Sequence, residues 1–268
     1  MKMKKHFGQN FLYDDFLLQD IVNFSGINKT DFLLEIGPGS GNLTYHLLNN
    51  CKKLIAIEID KDLIPTLNNR FSDNTNFHLI NDDFLNMDEN LLLSEFEKLG
   101  FDKNQKVKVV SNLPYYITSP IIMKLLNIDF ISEITLLVQK EVADRICAKP
   151  NSKNFGVLTL AINFYADTVD GFLIPRTFFK PVPQVDSKTV KIIKHPVIYD
   201  KNFEEKLFFI IKNSFLHRRK TLVNSLSSAG VDKEKILSIL NSLNISANAR
   251  PENLSLDEYV QFTKLFFC

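Results

Sequence analysis

The stretch Phe32-Leu33-Leu34-Glu35-Ile36-Gly37-Pro38-Gly39-Ser40-Gly41 decides the fold. Five residues of almost unbroken apolar character read as a strand buried on both faces. Three glycines in five positions then let the backbone take positive φ and come close to a ligand. A helical pattern follows from Leu43 to Leu48, which completes a strand, glycine turn and helix of the nucleotide-binding type. The third glycine falls at Gly41 rather than at Asn42, giving GxGxG instead of the dinucleotide GxGxxG. No Lys-Ser/Thr pair follows, so a phosphate-cradling P-loop is excluded.

Working outward, strands alternate with helices. Predicted strands are Lys53 to Ile59, Phe77 to Ile80, Val107 to Val110 and Ile134 to Val138. Predicted helices are Asp14 to Phe24, Asp62 to Phe71, Asn90 to Leu99, Ile121 to Leu126, Lys140 to Ala148 and Phe155 to Phe164. A hairpin-like pair follows, Thr168 to Ile174 and Thr189 to Ile193. This alternation predicts an α/β, Rossmann-like fold, a doubly wound and mostly parallel sheet. From Asn202 onward the pattern is helical: Phe203 to Leu216, Lys220 to Ser227, Glu234 to Leu243 and Asp257 to Phe266. The boundary is placed there, with residues 1–198 as the catalytic domain and 199–268 as a small all-helical domain.

The chain has 268 residues with 32 Lys and Arg against 31 Asp and Glu, so bulk charge names no partner. Its distribution is more telling: Asp14 to Val110 carries 16 acids and 9 bases, whereas Arg176 to Leu222 carries 4 and 11. With Lys2, Lys4 and Lys5, that late basic segment would make a positive surface if folding joins them. Cys51, Cys147 and Cys268 are far apart, with no CxxC pair. That predicts a reduced, cytoplasmic protein without a disulfide framework or a structural metal. Phe7-Gly8-Gln9-Asn10 interrupts any apolar leader, and no run approaches the ~20 apolar residues of a membrane helix.

The second informative stretch is Ser111-Asn112-Leu113-Pro114-Tyr115-Tyr116. Pro114 cannot donate to a ladder, so the preceding strand stops there. At the carboxyl end of a strand in an open α/β sheet, an amide and an aromatic ring face the ligand crevice. They suit a flat base with an exocyclic amine. The Asn112 side-chain oxygen, with the carbonyl of Leu113 or Pro114, would hold the amine's hydrogens, and Tyr115 would stack on the ring. A purely structural turn with two core tyrosines accounts for the same four residues. Glu58 suits the two hydroxyls of a ribose, and Asp83 an adenine amino group or the cap of the next helix. Together they indicate an adenosine-type cofactor.

These segments fall in register with longer blocks: Lys5 to Leu12, Glu35 to Gly41, Glu58-Ile59-Asp60, Asp82-Asp83, Asn112 to Tyr115 and Gln139 to Val142. Later come Phe179-Lys180-Pro181-Val182-Pro183-Gln184-Val185-Asp186-Ser187 and Arg218-Arg219-Lys220-Thr221-Leu222. Across essentially its whole length the chain resembles the KsgA/RsmA-type ribosomal RNA adenine dimethyltransferases. The resemblance implies a class I S-adenosylmethionine-dependent fold. It also implies transfer of two methyls to N6 of each of two adjacent adenosines in the 3′-terminal hairpin loop of 16S rRNA, within the small ribosomal subunit or its precursor, and a role in ribosome biogenesis. By position, it implies that Asn10 and Leu12 close over S-adenosyl-L-methionine. Gly37 and Gly39 would meet its methionine end, Glu58 its ribose and Asp83 its adenine, while Asn112 would face cofactor and target. Catalysis would rest on Asn112, Leu113, Pro114 and Tyr115. Tyr115 and Phe179 would sandwich the target base, and Arg218, Arg219 and Lys220 would meet RNA phosphates. The expected state is a monomer without a metal.

Two other readings remain at this point. A resistance-type methylase of large-subunit rRNA shares the fold, but as a family lacks the Arg218 to Leu222 block and the turn at Arg250-Pro251-Glu252-Asn253-Leu254-Ser255. A binding protein that has lost the chemistry is disfavoured by the intact glycine turn and Asn112 to Tyr115. A DNA adenine methylase usually carries two prolines where Leu113-Pro114 stands.

Overall fold

The computed structural model describes residues 10–217 and 219–268. Two parts of the sequence reading, Lys2 to Gln9 and Arg218, lie outside them. The described chain divides into two compact units.

The first unit runs to Ala143 and takes in Asp167–Lys194. Its centre is a seven-stranded sheet of β2 (Phe32–Ile36), β3 (Lys53–Glu58), β4 (Phe77–Asn81), β5 (Val107–Asn112), β6 (Ile131–Gln139), β7 (Ala166–Ile174) and β9 (Ser187–Lys194). The order is β4-β3-β2-β5-β6-β9-β7. The first five strands are mutually parallel, and β9 runs antiparallel to β6. Strands after β2 go to one side as β3 and β4 and to the other as β5 and β6. The order therefore reverses between β2 and β5, which places a crevice at their carboxyl ends. Those ends are the glycine turn and Asn112.

Strands β2, β3 and β5 are largely buried because both sheet faces are covered. On β2, Leu33 packs with Leu18, Ile21 and Val22 of α1 (Asp15–Ser25) and with Leu43 and Leu47 of α2 (Asn42–Leu48). Phe32 points the opposite way, as period-two alternation requires. It meets Phe96 of α4 (Glu89–Lys98) and Phe101 edge-on, at ring separations of 6.5 and 5.3 Å. Helix α3 (Ile64–Arg70) adds Leu67 to the first face, and α5 (Thr118–Asn127) follows the catalytic-type turn.

A separate two-stranded ladder joins β1 (Phe11–Leu12) to β8 (Phe179–Lys180), antiparallel, with Leu12 opposite Phe179. Sequence reading finds neither strand. Two residues are too few to show a period.

The second unit comprises Asp144–Ala166 and His195–Cys268. It holds α7 (Val157–Tyr165), α8 (Lys201–Ser214), α9 (Leu222–Ser228), α10 (Lys233–Ser242) and α11 (Leu256–Phe267); α6 (Lys140–Ile146) spans the division. The boundary drawn from sequence at 198/199 follows chain order, whereas this compact unit also draws in 144–166. The reason is composition. Helix α7 buries Leu160, Ala161, Ile162, Phe164 and Tyr165 and packs on α8 and α11. The Arg250 to Ser255 block resolves into a helix start. Ser255 accepts from the Glu258 N–H at 3.3 Å while Glu258 Oε2 accepts from the Ser255 N–H at 2.7 Å, a reciprocal cap of α11.

Candidate active site

The glycine turn is held open by its own backbone and by a carboxylate. Gly37, Gly39 and Gly41 have φ of 69°, 59° and 80°. A Cβ at Gly39 would stand 2.6 Å from the Phe11 ring, and one at Gly41 would stand 2.7 Å from the Phe71 ring. Glu58, at the end of β3, is almost fully buried and accepts from the Gly39 N–H at 3.0 Å and the Asp60 N–H at 2.9 Å. Burial raises its pKa above the usual carboxylate value; those two N–H bonds offset only part of the rise, and the Asp60 charge adds to it. Glu35 lies behind the turn, fully buried, and accepts from the Thr44 hydroxyl at 2.7 Å. Desolvation pushes its carboxyl up to about 8, against the Thr44 bond and with the Glu58 charge adding to the rise.

Across the switch point, β5 is tied to β2 by Ser111, whose hydroxyl accepts from the Ile36 N–H at 2.8 Å. Asn112 follows and donates Nδ2 to the Asn10 carbonyl at 3.2 Å. Leu113 is buried and anchored by its N–H on the Leu137 carbonyl. The Pro114 carbonyl accepts from the Ile117 N–H at 3.3 Å and the Thr118 hydroxyl at 3.2 Å. Tyr115 is fixed by a 2.7 Å hydrogen bond between its hydroxyl and that of Ser187 at the start of β9. Two blocks 72 residues apart in sequence thus meet at one hydroxyl pair.

One cavity gathers these groups. Asn10, Leu12, Gly37, Gly39, Glu58 and Asp83 line it, and so do Asn112, Leu113, Pro114 and Tyr115. The β3 and β4 ends contribute Glu58, Asp82 and Asp83, while Leu12, Leu18, Ile21 and Leu137 are apolar wall. Among the described residues no group of three or more His, Cys, Asp and Glu side chains is placed to hold a metal ion. Nor is any helix among them long and apolar enough to cross a membrane.

A family model described as "Ribosomal RNA adenine dimethylase" matches residues 1–266. The chain belongs to the ribosomal RNA adenine dimethylase family. It is 44% identical to ribosomal RNA small subunit methyltransferase A of Fusobacterium nucleatum, covering 99% of this chain and 98% of the relative. It is also similar to a crystal structure of a dimethyladenosine transferase from Plasmodium falciparum, at 26% identity and a TM-score of 0.75, covering 94% of this chain and 95% of that one. The 23S rRNA methyltransferase ErmE has the same fold, with a TM-score of 0.73 at 21% identity over 96% of this chain and 100% of that one. The sheet and glycine turn are thus those of a class I methyltransferase. Like its family, this dimethylase is an enzyme whose methyl donor is S-adenosylmethionine.

The donor set of the dimethylase fits that molecule. It needs acceptors for two ribose hydroxyls and an exocyclic amine, and carboxylates end β3 and follow β4. It needs close backbone approach at the β2 turn, where Gly37 and Gly39 line the cavity at positive φ.

One sequence expectation changes on the structure. Phe179 does not line the cavity. Its ring is fully buried and packs with Leu12, Leu18, Ile21 and Ile174, because pairing of β8 with β1 turns that side chain inward. Asp83 does face the cavity, yet its carboxylate also caps its own loop, accepting from the Leu85 N–H at 2.9 Å and from Asn86 Nδ2 at 2.8 Å.

Sequence reasoning also missed two residues, Asn42 and Tyr116. Asn42 donates to the Leu12 carbonyl at 2.9 Å and accepts from Arg70 at 2.9 Å, fastening the β1 wall to α2. Its position directly after the third glycine was the available signal. Tyr116 is exposed and on the cavity wall, where desolvation and the charges of Asp83 and Glu58 raise its phenol pKa. Of the residues expected to meet RNA phosphates, Arg219 and Lys220 are exposed beside the start of α9, which Thr221 caps.

Proposed function

We propose that this chain dimethylates N6 of two adjacent adenosines in the 3′-terminal hairpin loop of 16S rRNA, acting on the small ribosomal subunit or its precursor. When bound, S-adenosylmethionine supplies an activated methyl group and leaves as S-adenosylhomocysteine. The protein's own task is alignment, which by itself supplies large rate factors. Gly37 and Gly39 take the methionine end of the donor, Glu58 the ribose and Asp83 the adenine amine. Asn10 and Leu12 form the covering wall. Asn112 stands at the junction of donor and target. With Nδ2 committed to the Asn10 carbonyl, its Oδ1 is the end that accepts an amine hydrogen from the target base. The Leu113 carbonyl takes the second hydrogen.

The target adenine must leave its stack, which costs a few kcal/mol and is offset by aromatic contact. Tyr115 supplies one face, and the Ser187 bond keeps its ring from rotating away. Tyr116 supplies exposed aromatic surface beside it, in the place first given to Phe179. Residues 199–268 serve as the rRNA-binding domain, with Arg219 and Lys220, and Arg218 between them and α8, meeting phosphates. The enzyme works in the cytoplasm, as a monomer and without a metal.

The observation that carries this reading is the joint placement of Asn112, Glu58, Asp83 and the glycine turn on one cavity at the β2–β5 switch point. The test is incubation with methyl-labelled cofactor and unmethylated small subunits, then mapping of the labelled nucleotides. Label on two adjacent adenosines of the 16S 3′ hairpin is expected; label confined to 23S rRNA, or none, overturns it.

A further inference from the structure

Beyond β4 the chain runs through Asp82, Asp83, Phe84, Leu85, Asn86 and Met87 before α4 begins. This loop supplies Asp82, Asp83, Phe84 and Leu85 to the cavity wall. Three of its carbonyls converge on one cation. Lys124 Nζ, from α5, donates to the carbonyls of Phe84 at 2.7 Å, Leu85 at 3.0 Å and Met87 at 2.5 Å. An ammonium has three N–H donors, and here all three are matched. The same Nζ lies 5.1 Å from the centroid of the Phe84 ring, and that ring is buried. Within the loop, the Asp83 carbonyl accepts from the Asn86 and Met87 N–H groups, so both strands of the turn are accounted for.

We infer that Lys124 is a positioning residue for the donor's adenosine end, clamping the 82–87 loop to the helix that leaves the catalytic turn. Lys124 lies on α5, whose first residue, Thr118, bonds back to the Pro114 carbonyl. One short helix therefore carries both the anchor of the Asn112 to Tyr115 turn and the anchor of the wall that holds Asp83. Surface lysines usually turn the ammonium to water. This one spends it on main chain, where charge-assisted bonds are roughly twice as strong as neutral ones. Without it, three carbonyls lose their donor and the loop is free to shift Asp83 and Leu85 together.

The inference rests on the reading of the cavity as the S-adenosylmethionine site, and the experiment separates the two. Binding of S-adenosylhomocysteine and of 5′-methylthioadenosine, which lacks the amino-acid end, is measured by calorimetry on the full chain and on Lys124→Met and Lys124→Arg. Lys124→Met is expected to weaken both ligands by the same factor, about tenfold, the scale of one charge-assisted contact. Lys124→Arg, which keeps charge and donors, should fall between it and the parent. With saturating donor, kcat should change little while the donor's KM rises. If Lys124→Met binds both ligands as the parent does, or loses affinity for S-adenosylhomocysteine alone, the role is overturned. If Lys124→Met does not fold, Lys124→Gln, which drops the charge but keeps a polar side chain, with unaltered affinity for both ligands overturns it. A parent chain that binds neither ligand would instead bring down the reading of the cavity.

Discussion

Asn112 reaches the Asn10 carbonyl rather than a side chain, so its amide is oriented by backbone. Replacing it with alanine removes the acceptor proposed for the target amine and one tie to the cavity wall, while Glu58 and the glycine turn stay in place. Asn112→Ala should therefore lower kcat by about 100-fold or more, the scale of a lost alignment, with donor binding weakened but measurable by calorimetry. Unchanged turnover on unmethylated subunits would count against the assignment. Glu35 gives a second expectation at this scale. Its folded-state pKa is pushed up from 4.5 to about 8, mainly by burial. The folded chain then keeps a proton that the unfolded chain releases, so this contribution to stability is complete below about pH 4.5 and is lost as pH rises toward 8. The limiting slope is about 1.4 kcal/mol per pH unit for one proton. Glu35→Gln should flatten the fall in Tm across that window relative to the parent, and parallel curves would show that Glu35 is already ionised when folded.

At the scale of elements, the glycine turn shows what sequence makes visible. Three glycines after a buried strand allowed positive φ, and all three have it. The sequence did not show what presses on them. Phe11 comes from β1, a strand with no periodic signature, and its ring fills the space a Gly39 side chain would need. Gly39→Ala is thus expected to cost about 1–3 kcal/mol in chemical denaturation and to weaken donor binding, because both the strained φ and the ring contact must relax. An alanine variant with parental stability and affinity would mean that Phe11 simply moves aside. Phe179 teaches the same lesson in reverse. Its motif marked it as exposed to substrate, but pairing of β8 with β1, about 170 residues apart, buried the ring, and no local pattern encodes so distant a register. Glu58 and Asp83 were legible as acids at strand ends. Their bonds to Gly39 and to Leu85 were not, since these depend on how two loops face one another.

For the whole molecule, Asp14 to Val110 is acidic and Arg176 to Leu222 basic, a split that under the proposed function assigns the first to the donor and the second to RNA. Arg219 and Lys220 are exposed, and the double substitution Arg219→Ala/Lys220→Ala should weaken rRNA binding across sequences while leaving donor affinity intact. Each lost phosphate contact should reduce the slope of log K against log salt by about one or slightly less. A slope equal to the parent's, in a titration across several salt concentrations, would remove these residues from the interface. Strand and helix alternation made the α/β unit readable from the apolar pattern along the chain. The grouping of 144–166 with the C-terminal helices was not readable, because α7 is apolar on nearly every side and its partners α8 and α11 come later in the chain.

Among the described residues, every one that lines the cavity lies between Asn10 and Leu137, yet the wall at Leu12 pairs with Phe179 and the Tyr115 ring is pinned by Ser187. A nascent chain stalled after β6 would carry the full set of lining side chains without the two struts that fix them. Ligand capture during translation should accordingly switch on only once the polypeptide has emerged past residue 187, however early the glycine turn was made.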